Sequence, residues 1–270
     1  MRVTISDEID LWKIINSGQC FRATCDDSGV YRFISGDKLL CMRSNGDDSF
    51  EVDCSDSDWA GFWSAYFDLG RNYASLRMSF PSETDYFSRV LSGGTGIRIL
   101  RQEPFETLIT FIISQRKSIP AIKKAVELLC RALGEVCTYS EKTHLFPKPE
   151  RIAEAPDGVL AACGLGYRLS YVKNAAIRVC AGLDLNALNA LSDEELVNEL
   201  KKFEGVGDKV ASCTALFAYG RMGLAPIDVW IARAIENDLG GQNPFEGHKE
   251  YSGLLQQYMF FDAIQRKNSK

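Results

Sequence analysis

The sequence predicts an α+β protein, with a small N-terminal antiparallel β-sheet domain over residues 1–98 and a larger all-α domain over 99–270. Three observations carry this reading. Between residues 20 and 54, four short runs rich in β-branched and aromatic residues alternate with clusters of turn formers. From Ser55 onward the apolar period lengthens from two to between three and four. Near residue 205 two helical patterns meet at a Gly-Val-Gly.

In chain order, a short helix is expected around Asp7 to Asn16. The runs CFRATC, VYRFIS, KLLCMRS and SFEVDC then read as a meander, punctuated by Asp26-Asp27-Ser28-Gly29, Ser35-Gly36-Asp37 and Asn45-Gly46-Asp47-Asp48. Trp59, Phe62, Trp63, Tyr66 and Phe67 form a helical stripe, as do Tyr86, Phe87, Val90 and Leu91, and both are assigned to core packing. Phe105 to Ile113 and Ile122 to Leu133 continue the helical period, and Gly134 stops it.

Composition excludes several classes. An apolar fraction of 46% with 25% charged residues is that of a globular protein, not of a disordered or low-complexity one. The longest apolar run, near Ile109 to Ile113, is far too short for a membrane span, and MRVTISDEID has acids where a signal peptide needs an apolar stretch. A protein that is neither membrane-bound nor secreted is expected. Nine scattered cysteines without a CxxC pair indicate reduced thiols. His144 and His248 lie far apart, so no metal, redox centre or other cofactor is expected. The net charge of −5 hides a basic island: residues 101–180 carry a net +4, between flanks of −5 and −4. That island permits a nucleic-acid face without proving one.

The chemistry concentrates after residue 190. Ser192 and Glu195 form a capping box, opening a helix whose buried stripe is Leu196, Leu200 and Phe203 and which is read as ending at Gly205-Val206-Gly207. A second helix starts at Asp208. Such a hairpin offers backbone N–H groups and a helix N-terminus to an anion, and a DNA phosphate suits it without any base being read. A tight turn between two helices, with no ligand, explains Gly-Val-Gly equally well. Lys209 sits in the second helix's first turn, where the positive end of the dipole works against a cation, so its presence asks for a reason. Cys213 lies one turn on, along the same face. Asp228, in Ala225-Pro226-Ile227-Asp228-Val229-Trp230, is placed to cap the next helix. An amine and a pinned carboxylate are equipped to attack a sugar carbon through a Schiff base while an oxocarbenium-like centre is stabilised. Without the hairpin beside them, a surface lysine and a capping aspartate would suffice.

GVGDKVASC followed by APIDVW resembles the signature of the helix–hairpin–helix DNA glycosylase superfamily, and more specifically that of the 8-oxoguanine DNA glycosylase/lyases. SGQCFR, YFDL, GIRILRQEPFETLITFI, GLGYR and YSGLLQQYMFF fall in the same order as in that family, so the likeness runs through nearly the whole chain. It implies an enzyme acting on double-stranded DNA that contains 8-oxoguanine. Lys209 corresponds to the nucleophile and Asp228 to its carboxylate partner. Cys213 and Phe260 correspond to the two faces of the base pocket, and Gln256 to the reader of the Watson–Crick edge. Gly18 corresponds to the glycine whose carbonyl accepts the N7–H that marks 8-oxoguanine. Tyr167 corresponds to the wedge and Arg168 to a reader of the opposite cytosine. The hairpin's phosphate contacts fall on Gly205, Gly207 and Val210.

The departures are specific. Trp230 stands where the family usually has a histidine near a phosphate. Ser114-Gln115-Arg116-Lys117-Ser118 replaces an asparagine-bearing loop of eukaryotic members, and Ala121 replaces an arginine that helps them read the opposite base, leaving Arg116 either as a substitute reader or as a phosphate contact without base preference. With no added tails, a prokaryotic, cytoplasmic, monomeric member is expected. Two other readings remain open at this point: a superfamily enzyme excising an alkylated base, which has no need of Lys209, and a hairpin module that binds DNA without chemistry.

Overall fold

A computed structural model describes residues 1–268 except Glu83 and Tyr139. The N-terminal sheet contains β1 (Arg2–Thr4), β2 (Thr24–Cys25), β3 (Tyr31–Ser35), β4 (Lys38–Ser44) and β5 (Ser49–Val52), in spatial order β1-β5-β4-β3-β2 with antiparallel pairings throughout. The meander expected from β2 to β5 is present, and β1 extends it by pairing Val3 with Phe50. The run CFRATC supplies only the two residues of β2. Cys20, Phe21 and Ala23 are instead buried, and Arg22 turns inward toward Glu106 and the His144 carbonyl. Helix α1 (Leu11–Asn16) follows β1, capped by Asp10 Oδ1, which accepts from the Lys13 N–H at 3.0 Å.

The aromatic stripe after Ser55 does form a helical segment: α2 (Asp56–Asp58), a π-helical turn (Trp59–Trp63) and α3 (Ser64–Tyr66). It sets Trp63, Tyr66 and Phe67 in one core with the sheet, where Tyr66 and Phe67 pack edge-on with Phe33 and with each other, and Trp63 edge-on with Tyr66. That core runs from Val3 to Phe67 and includes Leu100. From Tyr73 onward most buried residues join a second, larger core. Its helices are α4 (Tyr73–Met78), α5 (Asp85–Gly94), α6 (Pro104–Ser114), α7 (Ile119–Leu133), α8 (Pro149–Ala153), α9 (Asp157–Ala162), α10 (Leu169–Cys180), α11 (Asp193–Leu200), α12 (Asp208–Tyr219), α13 (Val229–Asp238) and α14 (Ser252–Asn268). A two-stranded hairpin, β6 (Val136–Cys137) with β7 (Ser140–His144), is inserted after α7. No helix among the described residues is long and apolar enough to cross a membrane.

Arg98 joins the two cores. It is fully buried, and its guanidinium donates to the carbonyls of Phe67, Glu8, Asp68 and Arg71 and to Asp7 Oδ2, at 2.7–2.9 Å, while lying 4.2 Å from the Tyr73 ring centroid. A charge taken out of water is tolerated when its donors are satisfied in this way. The Arg98 carbonyl accepts from Gln19 Nε2 at 2.9 Å, and Gln19 Oε1 accepts from the Leu100 N–H at 2.8 Å. The loop Ser17-Gly18-Gln19 is thereby pinned to the segment entering α6.

Candidate active site

The hairpin forms because its two helices carry their own start and stop signals. Ser192 Oγ accepts from the Glu195 N–H, and Glu195 Oε2 accepts from the Ser192 N–H, which closes the capping box of α11. The helix itself ends at Leu200, earlier than expected, because Lys201 to Glu204 form a turn that carries Phe203 back into the core. Gly205 adopts φ +76°, and a Cβ there would lie 2.2 Å from the Tyr171 ring. Gly207 is the N-cap of α12, with φ −97° and no side chain capping it, so the first N–H groups of α12, including that of Val210, have no acceptor within the helix. The Val210 side chain is buried.

Lys209 and Cys213 share one face of α12 and line a cleft with Asp228, Gly18, Gln256 and Phe260. Four chain segments separated by up to 242 positions thus converge on one place. Phe111, Phe217, Pro226 and Gln257 complete the lining. Phe111 and Phe217 stack at 5.5 Å, and Lys209 Nζ lies 5.0 Å from the Phe111 centroid, so the amine emerges over an apolar wall. Asp228 caps α13, its Oδ1 accepting from the Trp230 and Ile231 N–H groups at 2.9 and 3.0 Å, and the residue lines the cleft. Burial raises the Cys213 thiol above its ordinary range, partly opposed by Lys209, so the sulfur is a neutral, polarisable surface.

Gln256 is 4% exposed, and its side-chain oxygen is buried without a hydrogen-bond partner. An orphaned acceptor of this kind costs stability and is explained by a ligand or water that completes it. Gln257, next to it, donates from Nε2 to the Ser17 carbonyl at 2.6 Å, tying the Gly18 loop to α14. Gly18 has φ +75°, and a Cβ there would stand 2.7 Å from Phe260. With the ring this close, the cleft has a free volume of about 20 Å³, room for one water. A purine enters only if the lining of the cleft rearranges.

The remaining predicted residues lie outside this cleft, beside the hairpin. Tyr167 is 54% exposed, whereas Arg168 is 6% exposed, donating to the Leu165 and Gln115 carbonyls and lying 4.3 Å from the Tyr167 centroid. Arg116 is exposed, at φ +52°. Gln115 Nε2 donates to the Gly205 carbonyl at 3.2 Å and Lys117 Nζ to the Gly164 carbonyl at 2.8 Å, so this loop bridges the hairpin and the Tyr167 turn. Sequence reasoning missed Gln257, Gln19, Arg98 and Phe111. Gln257 stands next to Gln256, which the resemblance picked out, but no local feature of the sequence marks Gln257 itself.

A sheet domain set on a helical bundle, with a lysine on the second helix of a hairpin facing an aspartate that caps the next helix, defines the class: helix–hairpin–helix base excision DNA repair proteins. Residues 109–258 match the model of the HhH-GPD superfamily base excision DNA repair protein, and residues 2–108 that of the 8-oxoguanine DNA glycosylase N-terminal domain. The solved structure of MBOgg1 in complex with a low-affinity DNA ligand is 33% identical, covering 100% of this chain and 96% of that one with a TM-score of 0.92. The Clostridium acetobutylicum 8-oxoguanine glycosylase/lyase, solved with double-stranded DNA carrying cytosine opposite 8-oxoG, is 30% identical over 99% and 98% of the two chains, with a TM-score of 0.89. The N-glycosylase/DNA lyase of Saccharomyces cerevisiae is 33% identical over 159 residues, 53% of this chain and 42% of that protein. The chain spans about half the length of the first curated relatives it matches. It belongs to the 8-oxoguanine DNA glycosylase family of the HhH-GPD superfamily.

Proposed function

We propose that the protein removes 8-oxoguanine from duplex DNA and then cuts the strand by β-elimination. The observation that carries this is the convergence of Lys209 and Asp228 on a cleft that also holds the unpartnered amide oxygen of Gln256. DNA phosphates meet the N–H groups around Gly205, Gly207 and Val210, and Tyr167 fills the space left by the extruded nucleotide. Extrusion costs about a few kcal/mol, least for a damaged or mispaired base. The base displaces Phe260 and lies between its ring and Cys213. Gln256 Oε1 accepts from the base's N1–H or N2–H₂. The Gly18 carbonyl accepts the N7–H of 8-oxoguanine, whereas guanine would present a lone pair there and be repelled.

Lys209 Nζ, in its neutral form, attacks C1′ as the C1′–N9 bond breaks, and the departing base takes up a proton. The Asp228 carboxylate stabilises the positive charge that develops on the sugar. Ring opening gives a Schiff base, which acidifies the C2′ proton, and its loss expels the 3′ phosphate. The reading includes a monomer working on chromosomal DNA in a prokaryotic cytoplasm, with the exposed Arg116 as a reader of the opposite base and Arg168 as a second once it leaves the Leu165 and Gln115 carbonyls.

Borohydride trapping tests it. The protein should become covalently attached to a duplex bearing one 8-oxoguanine, and Lys209→Gln should lose trapping while retaining binding. Undiminished trapping in the variant refutes the assignment and turns attention to Lys249, since the N-terminal amine is engaged with the Val52 carbonyl at 2.6 Å.

A further inference from the structure

Where α13 meets the last turn of α14, two cations gather on one aromatic ring. Trp230, in the first turn of α13, is half-buried. Arg233 Cζ lies 5.9 Å from its ring centroid and Lys267 Nζ 5.2 Å. Both cations are exposed, and among the described residues no ion pair joins either to a carboxylate. Carboxylates are present on the same two helices but are spent elsewhere. Arg266, one residue before Lys267, is held by Asp238 at 2.8 and 3.1 Å and by Asp262 at 3.1 Å. Arg89 takes Asp262 as well, at 3.0 Å. Residues 181–270 carry a net −4, so the pair on Trp230 is a local exception and not part of a basic surface.

Both charges stand over one ring, so their separation is comparable with the Debye length, about 10 Å at 0.1 M salt, and they repel each other. Attraction to the face of the indole offsets that repulsion and fixes where the two charges stand. An anion bound by both removes it. Position decides which anion. The Trp230 N–H donates to Asp228 Oδ1 at 2.9 Å, so the ring stands within one helical turn of the carboxylate that stabilises the sugar in the function proposed above. A phosphodiester adjoins that sugar on each side. Ile227 and Val229, which flank Asp228, are 49% and 56% exposed and bring no charge of their own.

We propose that Arg233 and Lys267, held on the Trp230 ring, form a second phosphate clamp, which binds the strand carrying the damaged nucleotide. The inference rests on the duplex-DNA function proposed above. Trp230 is the platform for the two cations and not itself the phosphate contact. The clamp lies on α13 and α14, apart from the Gly205–Gly207 hairpin at the start of α12, and it adds affinity without reading any base.

The test is the salt dependence of binding by the whole protein to a duplex bearing one 8-oxoguanine, between about 50 and 200 mM salt. Each lost phosphate contact should flatten the log–log slope by about 0.9, which weakens binding roughly eightfold at about 0.1 M salt. Arg233→Gln and Lys267→Gln should each do this, and the double variant should flatten the slope by about 1.8. Both residues are exposed, so neither substitution threatens the fold. Trp230→Phe keeps an aromatic face and should retain the slope, whereas Trp230→Ala should lose about as much as the double variant. Arg131→Gln removes an exposed cation near the far end of α7, already paired with Glu127 at 2.7 Å, and should bind as the unsubstituted protein does. An unchanged slope in either cation variant, or in Trp230→Ala, overturns the clamp. Borohydride trapping by the unsubstituted protein keeps the two readings apart. With trapping intact, unchanged slopes overturn the clamp alone. If trapping fails, the glycosylase/lyase function falls, and the slopes still decide the clamp.

Discussion

The two glycines of Gly205-Val206-Gly207 should respond very differently to alanine. At Gly205 the backbone is at φ +76°, and a Cβ would sit 2.2 Å from the Tyr171 ring. Left-handed backbone costs an alanine about 1–2 kcal/mol, and forcing a packed ring to move costs about 1–3 kcal/mol more. Tyr171 cannot withdraw freely, because Tyr167 packs edge-on against it at 6.1 Å. Gly205→Ala should therefore lose about 2–5 kcal/mol of folding stability, a Tm drop of roughly 4–20 °C in a chain of this size. At Gly207 the backbone has φ −97° and a Cβ would meet nothing within 4 Å, so Gly207→Ala should cost under about 1 kcal/mol. Urea denaturation of both variants measures this directly. Adding Tyr171→Ala to Gly205→Ala should relieve the ring clash and leave the backbone cost, so the double-mutant cycle separates the two. Both single variants should weaken binding to duplex DNA, because each puts a methyl group on the hairpin that approaches phosphate. Equal stability losses at 205 and 207, or no coupling between Gly205 and Tyr171, would refute the reasoning.

Three further outcomes are expected. Gln256→Leu removes an unpartnered buried acceptor, so stability should hold or rise by about 1 kcal/mol while 8-oxoguanine excision falls; unchanged single-turnover excision would show that the amide does not read the base. Cytosine discrimination should be weaker than in arginine-bearing relatives, by about tenfold, since Ala121 makes no hydrogen bond and a bidentate base contact is worth roughly 1–3 kcal/mol. Excision opposite C, T, G and A decides this, and a strict preference that disappears in Arg116→Ala would identify the substitute reader. Burial, offset by Arg22 and reinforced by Glu103, raises the Glu106 carboxyl from 4.5 to about 7. The folded protein then holds this proton more tightly than the unfolded chain, a contribution of about 3 kcal/mol that is complete below about pH 4.5 and lost as pH rises through 7. Denaturation from pH 5 to 8 should show that loss in the native protein but not in Glu106→Gln, and parallel profiles would contradict it.

Features set by chemistry between near neighbours were legible in the chain itself. The alternation in Tyr31–Ser35 and Lys38–Ser44 builds the meander, Ser192 with Glu195 starts α11, and Asp228 caps α13, because each depends on groups within a few residues. The hairpin and its lysine follow from such local rules, while the roles of Gly18, Gln256 and Phe260 came from resemblance, since nothing in their immediate surroundings marks them. Packing alone decided the rest. Gln257 holds the Ser17 carbonyl across 240 positions, Arg98 collects acceptors from segments 27–91 positions away, and Phe260 closes the cleft against Gly18. The same holds for Gly205 and Gly207, which are equivalent in the motif and become different only when Tyr171 arrives beside one of them. Secondary structure and capping depend on hydrogen bonds a turn apart, which the order of residues determines directly. Cavities, buried charges and the strain on a single glycine depend on which distant side chains fill the space, and only the folded chain determines that.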